Sequence, residues 1–326
     1  MRTRNASWQC PPPDHEPVLH SLLGGLFSEG LLPEGSVVDA GANSGEDACY
    51  YAERLPSRIV HAIEPVAANV AHIRAKWAVH LPNLHVLRAG LGSENRLVRL
   101  AAAGRPDAGQ GTQVTAGDLS HAPNVTMSTR GADADTKVFQ VYPLDQLFET
   151  AWQGERLGFA HFDVEGGELD VLLGARRAIE RDRPVFTMEV HVHTKAQLTA
   201  SLLQLVDRLH YRSYMVEEQC GIPVDCRNIL NLPIERLSLF QGSPILDLAT
   251  ASQKLFKVTA RSIKKRAYAE VCSPGGACCP TGPPACCYST CVQSWLKNLT
   301  GAKASALHAH VSFKAQNYRQ HQLRFG

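Results

Sequence analysis

No stretch of this 326-residue chain approaches the roughly 18 uninterrupted apolar residues of a membrane-crossing helix, so no transmembrane span is expected. The opening MRTRNASWQCPPPDHEP has no apolar core of the kind that drives secretion, which favours a cytoplasmic location. Neither G-x-G-x-x-G nor G-x-x-x-x-G-K-[ST] occurs, and this disfavours a diphosphate cradle. The 10 cysteines include no C-x-x-C pair, so the usual zinc-ribbon and finger spacings fail. Acids are scarce at one end: after Asp247 only Glu270 remains, against eleven Lys and Arg. With a total of +2, residues 248–326 therefore carry about +10 and the rest about −8. An acidic body with a basic appendage results.

What is present begins with SVVDAGANSG, residues 36–45, followed by VHAIEP at 60–65. Val37 and Val38 form an apolar strand, Asp39 stands at its end, and Gly41 and Gly45 flank a tight turn. Ser44 and Asp47 have capping-box spacing ahead of Ala48, Tyr51, Ala52 and Leu55. Such a turn exposes bare backbone at the carboxyl edge of a parallel sheet. Glu64 ends the next strand, 25 positions after Asp39, where an acid commonly grips a ribose diol.

Asn43 occupies the place of a dinucleotide loop's second glycine and would crowd a pyrophosphate. Asp39 would repel phosphates, yet it suits a cofactor bearing an ammonium and a sulfonium. S-adenosylmethionine meets these demands, with its ribose on Glu64 and its methionyl end at the 39–45 turn.

A second segment, GFAHFDVEGGELDVLLGARRAIERDRPVFTMEV at 158–190, reads strand, carboxylates, helix, proline stop, strand. Asp163 stands at the strand end and Glu165 two residues later. Gly166 and Gly167 open the turn, and Glu168 falls in the first helical turn, where the dipole favours an acid. Arg183-Pro184 breaks the helix. In these residues the chain resembles the FkbM-like methyltransferases, a Class I S-adenosylmethionine-dependent family. The shared motifs are D-x-G-A-N-x-G (Asp39, Gly41, Ala42, Asn43, Gly45), I-E-P (Ile63, Glu64, Pro65), Leu144-Asp145, D-V-E-G-x-E-L-x-V-L-x-G-A (Asp163 to Ala175), and R-P-x-x-x-x-E (Arg183 to Glu189). The match runs over about residues 34–216 in order. It implies an α/β fold, a doubly wound, mostly parallel seven-stranded Rossmann-like sheet. It also implies methyl transfer to a hydroxyl of a glycan or small molecule.

Three regions are expected: a lead and helix at 1–33, the methyltransferase domain at 34–245, and a basic Cys-rich extension at 246–326. An opening helix lies within 15–32. Strands fall near 36–40, 58–63, 84–88, 138–142, 211–218 and 229–241, and helices near 44–54, 66–79, 144–152 and 196–209. Residues 101–137 form a long Gly/Ser/Thr/Asp-rich loop, read either as a lid over the acceptor or as a plain insertion.

Methyl transfer mainly requires alignment of the acceptor with an already activated methyl group. A hydroxyl also benefits from a base. Asp163 is assigned to cofactor or acceptor binding, and Glu165, Glu189 and His191 are base candidates. Glu168 is read as serving the helix dipole. Val185, Thr187, Glu189, His191 and His193 alternate onto one strand face. His191 and His193 with a carboxylate offer a metal set, but no metal is expected.

Cys272, Cys278, Cys279, Cys286, Cys287 and Cys291 crowd the tail and read as a disulfide knot or a disordered extension. Cys10, Cys49, Cys220 and Cys226 read as ordinary residues. Asn5, Asn124 and Asn298 head glycosylation sequons, which lean toward a secretory route. The basic run at 254–266 lacks interleaved aromatics, and no nucleic-acid partner is expected. Two rival functions stay open: a nucleotide-dependent oxidoreductase or epimerase, and a non-catalytic methyltransferase-like scaffold.

Overall fold

The computed structural model describes residues 9–11, 16–99, 117–118, 138–192, 195–218, 226–251 and 254–263. The chain runs through α1 (Pro17–Ser28), β1 (Ser36–Ala40), α2 (Glu46–Arg54), β2 (Val60–Ile63), α3 (Ala67–Ile73) and β3 (Leu84–Leu87). Short strands follow: β4 (Gly90–Leu91), β5 (Arg96–Arg99), β6 (Gly117–Asp118) and β7 (Val138–Tyr142). Then come α4 (Leu144–Glu149), β8 (Leu157–Phe162), α5 (Glu168–Gly174), α6 (Arg176–Asp182), β9 (Val185–His191) and α7 (Ala196–Arg208). The described part closes with β10 (Tyr211–Val216), β11 (Cys226–Pro233), α8 (Leu237–Phe240), α9 (Pro244–Ala251) and β12 (Leu255–Lys257).

The central sheet has the order β12-β10-β11-β9-β8-β1-β2-β3. Neighbours from β3 to β9 pair in parallel, whereas β11 is antiparallel to both β9 and β10, and β12 is antiparallel to β10. Eight strands replace the expected seven, because Leu255–Lys257 adds an edge beyond β10. That strand lies past residue 245, so part of the segment assigned to the extension completes the sheet. The strand expected at 229–241 stops at Pro233, and residues 234–240 turn helical. The strand at 138–142 belongs elsewhere, in a small second sheet of order β4-β7-β5-β6. Val98, Phe139 and Val141 bury that sheet's own core against Val66.

Alternation along the central strands divides the core in two. Val37, Val60, Ala62 and Phe159 face α1, α2 and α9, while Val38, Ala40, Ala160, Phe162 and Met188 face α4, α5, α6 and α7. This is the doubly wound arrangement, with helices on both faces. On the first face Phe27, Tyr51 and Phe159 meet edge to face at centroid distances of 5.4–5.9 Å. Helix α1 is therefore part of the core: Leu19, Leu22, Leu23 and Leu26 are all sealed from solvent.

Buried carboxylates tie the helices to the sheet. Asp145 accepts from the backbone N–H groups of Arg177 (3.0 Å) and Ala178 (2.8 Å), capping α6 from another element. Asp182 accepts from Leu157 N–H at 2.8 Å and from Arg181 and Arg156. Burial pushes its carboxyl up, but these donors outweigh it and hold it below the usual range. Arg183 takes a left-handed backbone at the end of α6. Its guanidinium donates to the Leu209 and His210 carbonyls and to Glu235, and stacks 4.5 Å over Tyr211.

Two cysteines read as ordinary are joined: Cys10 and Cys49 form a disulfide with Cα atoms 5.9 Å apart. Cys226 is disulfide-bonded as well. Their scattered positions carry no spacing signal, so only the fold brings Cys10 to α2. Most of the 101–137 loop, His193, Cys220 and the cysteine-rich tail lie outside the described residues. Among the described residues no helix is long and apolar enough to cross a membrane.

Asp182→Ala should cost about 1–3 kcal/mol in urea denaturation, since Leu157 N–H is left buried without an acceptor. Because the folded carboxyl is depressed, its contribution is full above the ordinary unfolded value and lost as pH falls through the folded one. The difference from wild type should therefore shrink in acid. Replacing Cys10 and Cys49 together by serine should cost on the order of 4 kcal/mol through the loop entropy of the unfolded chain, read as a lower midpoint in the same assay.

Candidate active site

The strand order reverses between β1 and β8, and the crevice outside their carboxyl ends is where an open α/β sheet receives a ligand. Asp39, 1% exposed, ends β1. The chain then turns through Gly41 (φ +89°), Asn43 (φ +46°) and Gly45 (φ +80°), three positions in the left-handed region. A Cβ at Gly41 would lie 1.7 Å from the Asp163 carbonyl oxygen, so this backbone contact demands glycine. A Cβ at Gly45 would meet Ile73 at 2.7 Å. The indole N–H of Trp77 donates to the Ser44 carbonyl at 2.7 Å and holds the turn from the other side.

The capping box expected from Ser44 and Asp47 is not formed. Gly45 occupies the N-cap with no side-chain bond, and Asp47 is paired with His20 of α1. The left-handed turn carries Ser44 away from the cap position.

Glu64, 4% exposed, immediately follows β2. Its carboxylate accepts from the backbone N–H of Asn43 (2.9 Å), the N–H of Val66 (2.8 Å) and the Asn69 amide (3.2 Å). It thus clamps the 41–45 turn to the start of α3. A carboxylate accepts about four hydrogen bonds, so roughly one more position is available to a ligand hydroxyl. Burial raises its carboxyl above the usual range against the pull of these donors. Ala42 is buried, Asn43 exposed and Pro65 half-buried beside it.

Past β8, Asp163 N–H donates to the Ala40 carbonyl at 2.9 Å, binding the two strand ends. Glu165 adopts φ +56° in the turn that follows. Glu168 does more than serve the helix dipole: it is buried, and its carboxylate accepts from Gly166 N–H at 2.8 Å. Lys195, ahead of α7, donates to the Glu165 carbonyl at 3.0 Å. From β9, Glu189 and His191 join this group, with His191 Nε2 3.8 Å from Glu189 Oε1. Ligand atoms of Glu165, Glu189 and His191 all lie within 4.8 Å of one another.

Burial, followed by the charges of Glu189 and Glu165, pushes the Asp163 carboxyl well above the carboxylate range. Burial and then Glu165 do the same to Glu189. Glu16 also acts on both, a residue with no motif around it. It reaches the site because the Glu218 carboxylate accepts from Val18 and Leu19 N–H and fixes the start of α1 (2.8 and 2.9 Å). Glu16 itself accepts from Asn228 of β11 at 2.7 Å. Asp163, Glu165, Glu189 and His191 thus converge, while Asp39, Asn43 and Glu64 line the adjoining half.

The site is a switch-point crevice of a doubly wound α/β sheet with acids at successive strand ends. The chain belongs to the FkbM methyltransferase family: the family model described as Methyltransferase FkbM domain matches residues 39–221, over half of it. Among solved structures, a methyltransferase FkbM from Methylobacillus flagellatus KT is similar at 19% identity and TM-score 0.40, covering 64% of this chain and 47% of its own. The chain therefore spans less than half the length of that protein. An O-methyltransferase from Bacillus cereus in complex with SAH is similar at 12% identity and TM-score 0.41, covering 68% and 84%. Aeropyrum pernix fibrillarin with bound S-adenosyl-L-methionine is similar at 10% identity and TM-score 0.38, covering 66% and 74%. No curated protein matches the chain.

Gly41→Ala should abolish soluble expression or drop the thermal midpoint by several degrees, since both the contact with Asp163 and the positive φ forbid a side chain.

Proposed function

We propose that this protein is an S-adenosylmethionine-dependent methyltransferase acting on a hydroxyl oxygen of a glycan or small molecule. The observation that carries the reading is the pair of buried acids, Asp39 and Glu64, at the ends of adjacent strands on either side of the glycine turn. The residues fit the cofactor: Glu64 has acceptor capacity left for a ribose hydroxyl, and acids rather than phosphate-binding amides line the turn. Bound S-adenosylmethionine would supply a methyl group already activated on a sulfonium. Asp39, Gly41, Ala42, Asn43, Gly45, Glu64 and Pro65 form its berth, with Asp163 at the inner boundary.

On the acceptor side, Glu165, Glu189 and His191 stand where a hydroxyl must shed its proton, and each is a candidate base by position. The alignment they impose on the acceptor contributes most of the rate, on the order of 7–11 kcal/mol where the geometry is good. Disulfide-bonded Cys10, Cys49 and Cys226, together with three glycosylation sequons, favour an oxidising compartment over the cytoplasm.

Calorimetry with S-adenosylhomocysteine tests the cofactor, and a radiolabelled-methyl screen over glycans and small alcohols tests the acceptor. Glu64→Gln should weaken S-adenosylhomocysteine about tenfold to a hundredfold, the loss of a charge-assisted hydrogen bond. Wild-type affinity should fall as pH drops through the raised Glu64 value, because only the ionised carboxylate accepts from both loop and ribose. That fall should start above the ordinary carboxylate range and be flattened in Glu64→Gln. Binding of NAD with indifference to S-adenosylhomocysteine would overturn the reading.

A further inference from the structure

Glu165, Glu189 and His191 are not adjacent in sequence, yet the fold gathers them at the ends of two parallel strands. We propose that they form a binding site for a divalent first-row cation of the Mn²⁺/Zn²⁺ class, beside the cofactor berth.

The donor set is two carboxylates and an imidazole, a mixture that suits Mn²⁺ or Zn²⁺ better than the all-oxygen shells of Ca²⁺. Their ligand atoms lie within 4.8 Å of one another. The 3.8 Å between His191 Nε2 and Glu189 Oε1 is too long for a hydrogen bond. It is shorter than twice a metal–ligand bond of about 2.1 Å, so one ion can touch both. Three protein ligands leave positions open, the hallmark of a site that also takes water or substrate.

A second observation points the same way. Asp163 Oδ1 is sealed from solvent and accepts no hydrogen bond among the described residues. Asp163 precedes Glu165 by two residues, and the charges acting most strongly on it are those of Glu189 and Glu165, two of the proposed ligands. A sealed carboxylate oxygen without a donor is costly unless a cation or a proton satisfies it. The charges of Glu16, Glu165 and Glu168 bear on both Asp163 and Glu189. Lys195 supplies one positive charge, and its ammonium is already committed to the Glu165 carbonyl. A divalent ion supplies the charge that the cluster lacks.

The site adjoins the acceptor side of the proposed crevice, so its use in catalysis rests on the methyltransferase reading, whereas ion binding does not. There the open positions would receive the acceptor oxygen and lower the pKa of its hydroxyl, leaving the proton to solvent or a neighbouring carboxylate.

The test uses the full chain, stripped with chelator and titrated with MnCl₂ while free Mn²⁺ is followed by electron paramagnetic resonance. Zn²⁺ competition follows. Stoichiometric binding of one Mn²⁺ per chain, displaced by Zn²⁺, is expected. Glu189→Gln and His191→Ala should each weaken it about tenfold or more. Glu155→Gln, a carboxylate bound to His61 elsewhere, should leave it unchanged. S-adenosylhomocysteine calorimetry and circular dichroism on the same samples report folding and the cofactor berth separately. Folded wild-type protein that binds neither ion, or variants that bind Mn²⁺ as wild type does, would overturn the proposal. Loss of S-adenosylhomocysteine binding with Mn²⁺ retained would instead count against the cofactor reading alone.

Discussion

The contact between bare backbone at Gly41 and the carbonyl of Asp163 governs the whole crevice. It sits where β1 and β8 end side by side, and it leaves no room for a side chain. Because the strands are locked there by Asp163 N–H on the Ala40 carbonyl, the two motif segments cannot drift apart. Glu64 then fixes the outer wall of the turn through two backbone N–H groups, and Trp77 fixes its back. One close approach therefore sets where the cofactor half of the site ends and where the acid cluster begins.

Acids are concentrated around that seam at an energetic cost, since burial and mutual repulsion both disfavour ionised carboxylates. The surrounding fold bears this cost through ties made far away. Asp145 caps α6, Asp182 pins β8, and Arg183 bolts the end of α6 to β10 and to Glu235. Each joins elements distant in sequence, which gives Asp145 and Arg183 a structural part away from the crevice. They are the frame that lets the crevice be unfavourable.

Strand-end acids and glycines were legible because they are local: an apolar run, a carboxylate and a glycine turn announce themselves within ten residues. Asp39, Glu64, Asp163 and Glu189 accordingly lie where the spacing placed them, at the carboxyl ends of β1, β2, β8 and within β9. Contributions of tertiary origin were not legible. Glu16 reaches the cluster only because Glu218 seats α1, and Cys10 meets Cys49 only because α1 covers α2. The edge strand β12 is three residues long and has no periodicity to read; its pairing with β10 defines it. The capping box failed for a related reason. A left-handed Asn43 and Gly45 reroute the chain, and Asp47 finds a better partner in His20.

Helix α1 joins these themes. It is sealed into the first core face by four leucines, tied to α2 by His20 on Asp47 and by the Tyr50 hydroxyl on the His20 carbonyl, and held at its first turn by Glu218. Its tip carries Glu16 into the same electrostatic neighbourhood as Asp163 and Glu189. The acid cluster therefore depends on an element with no motif of its own, whose placement is set entirely by packing.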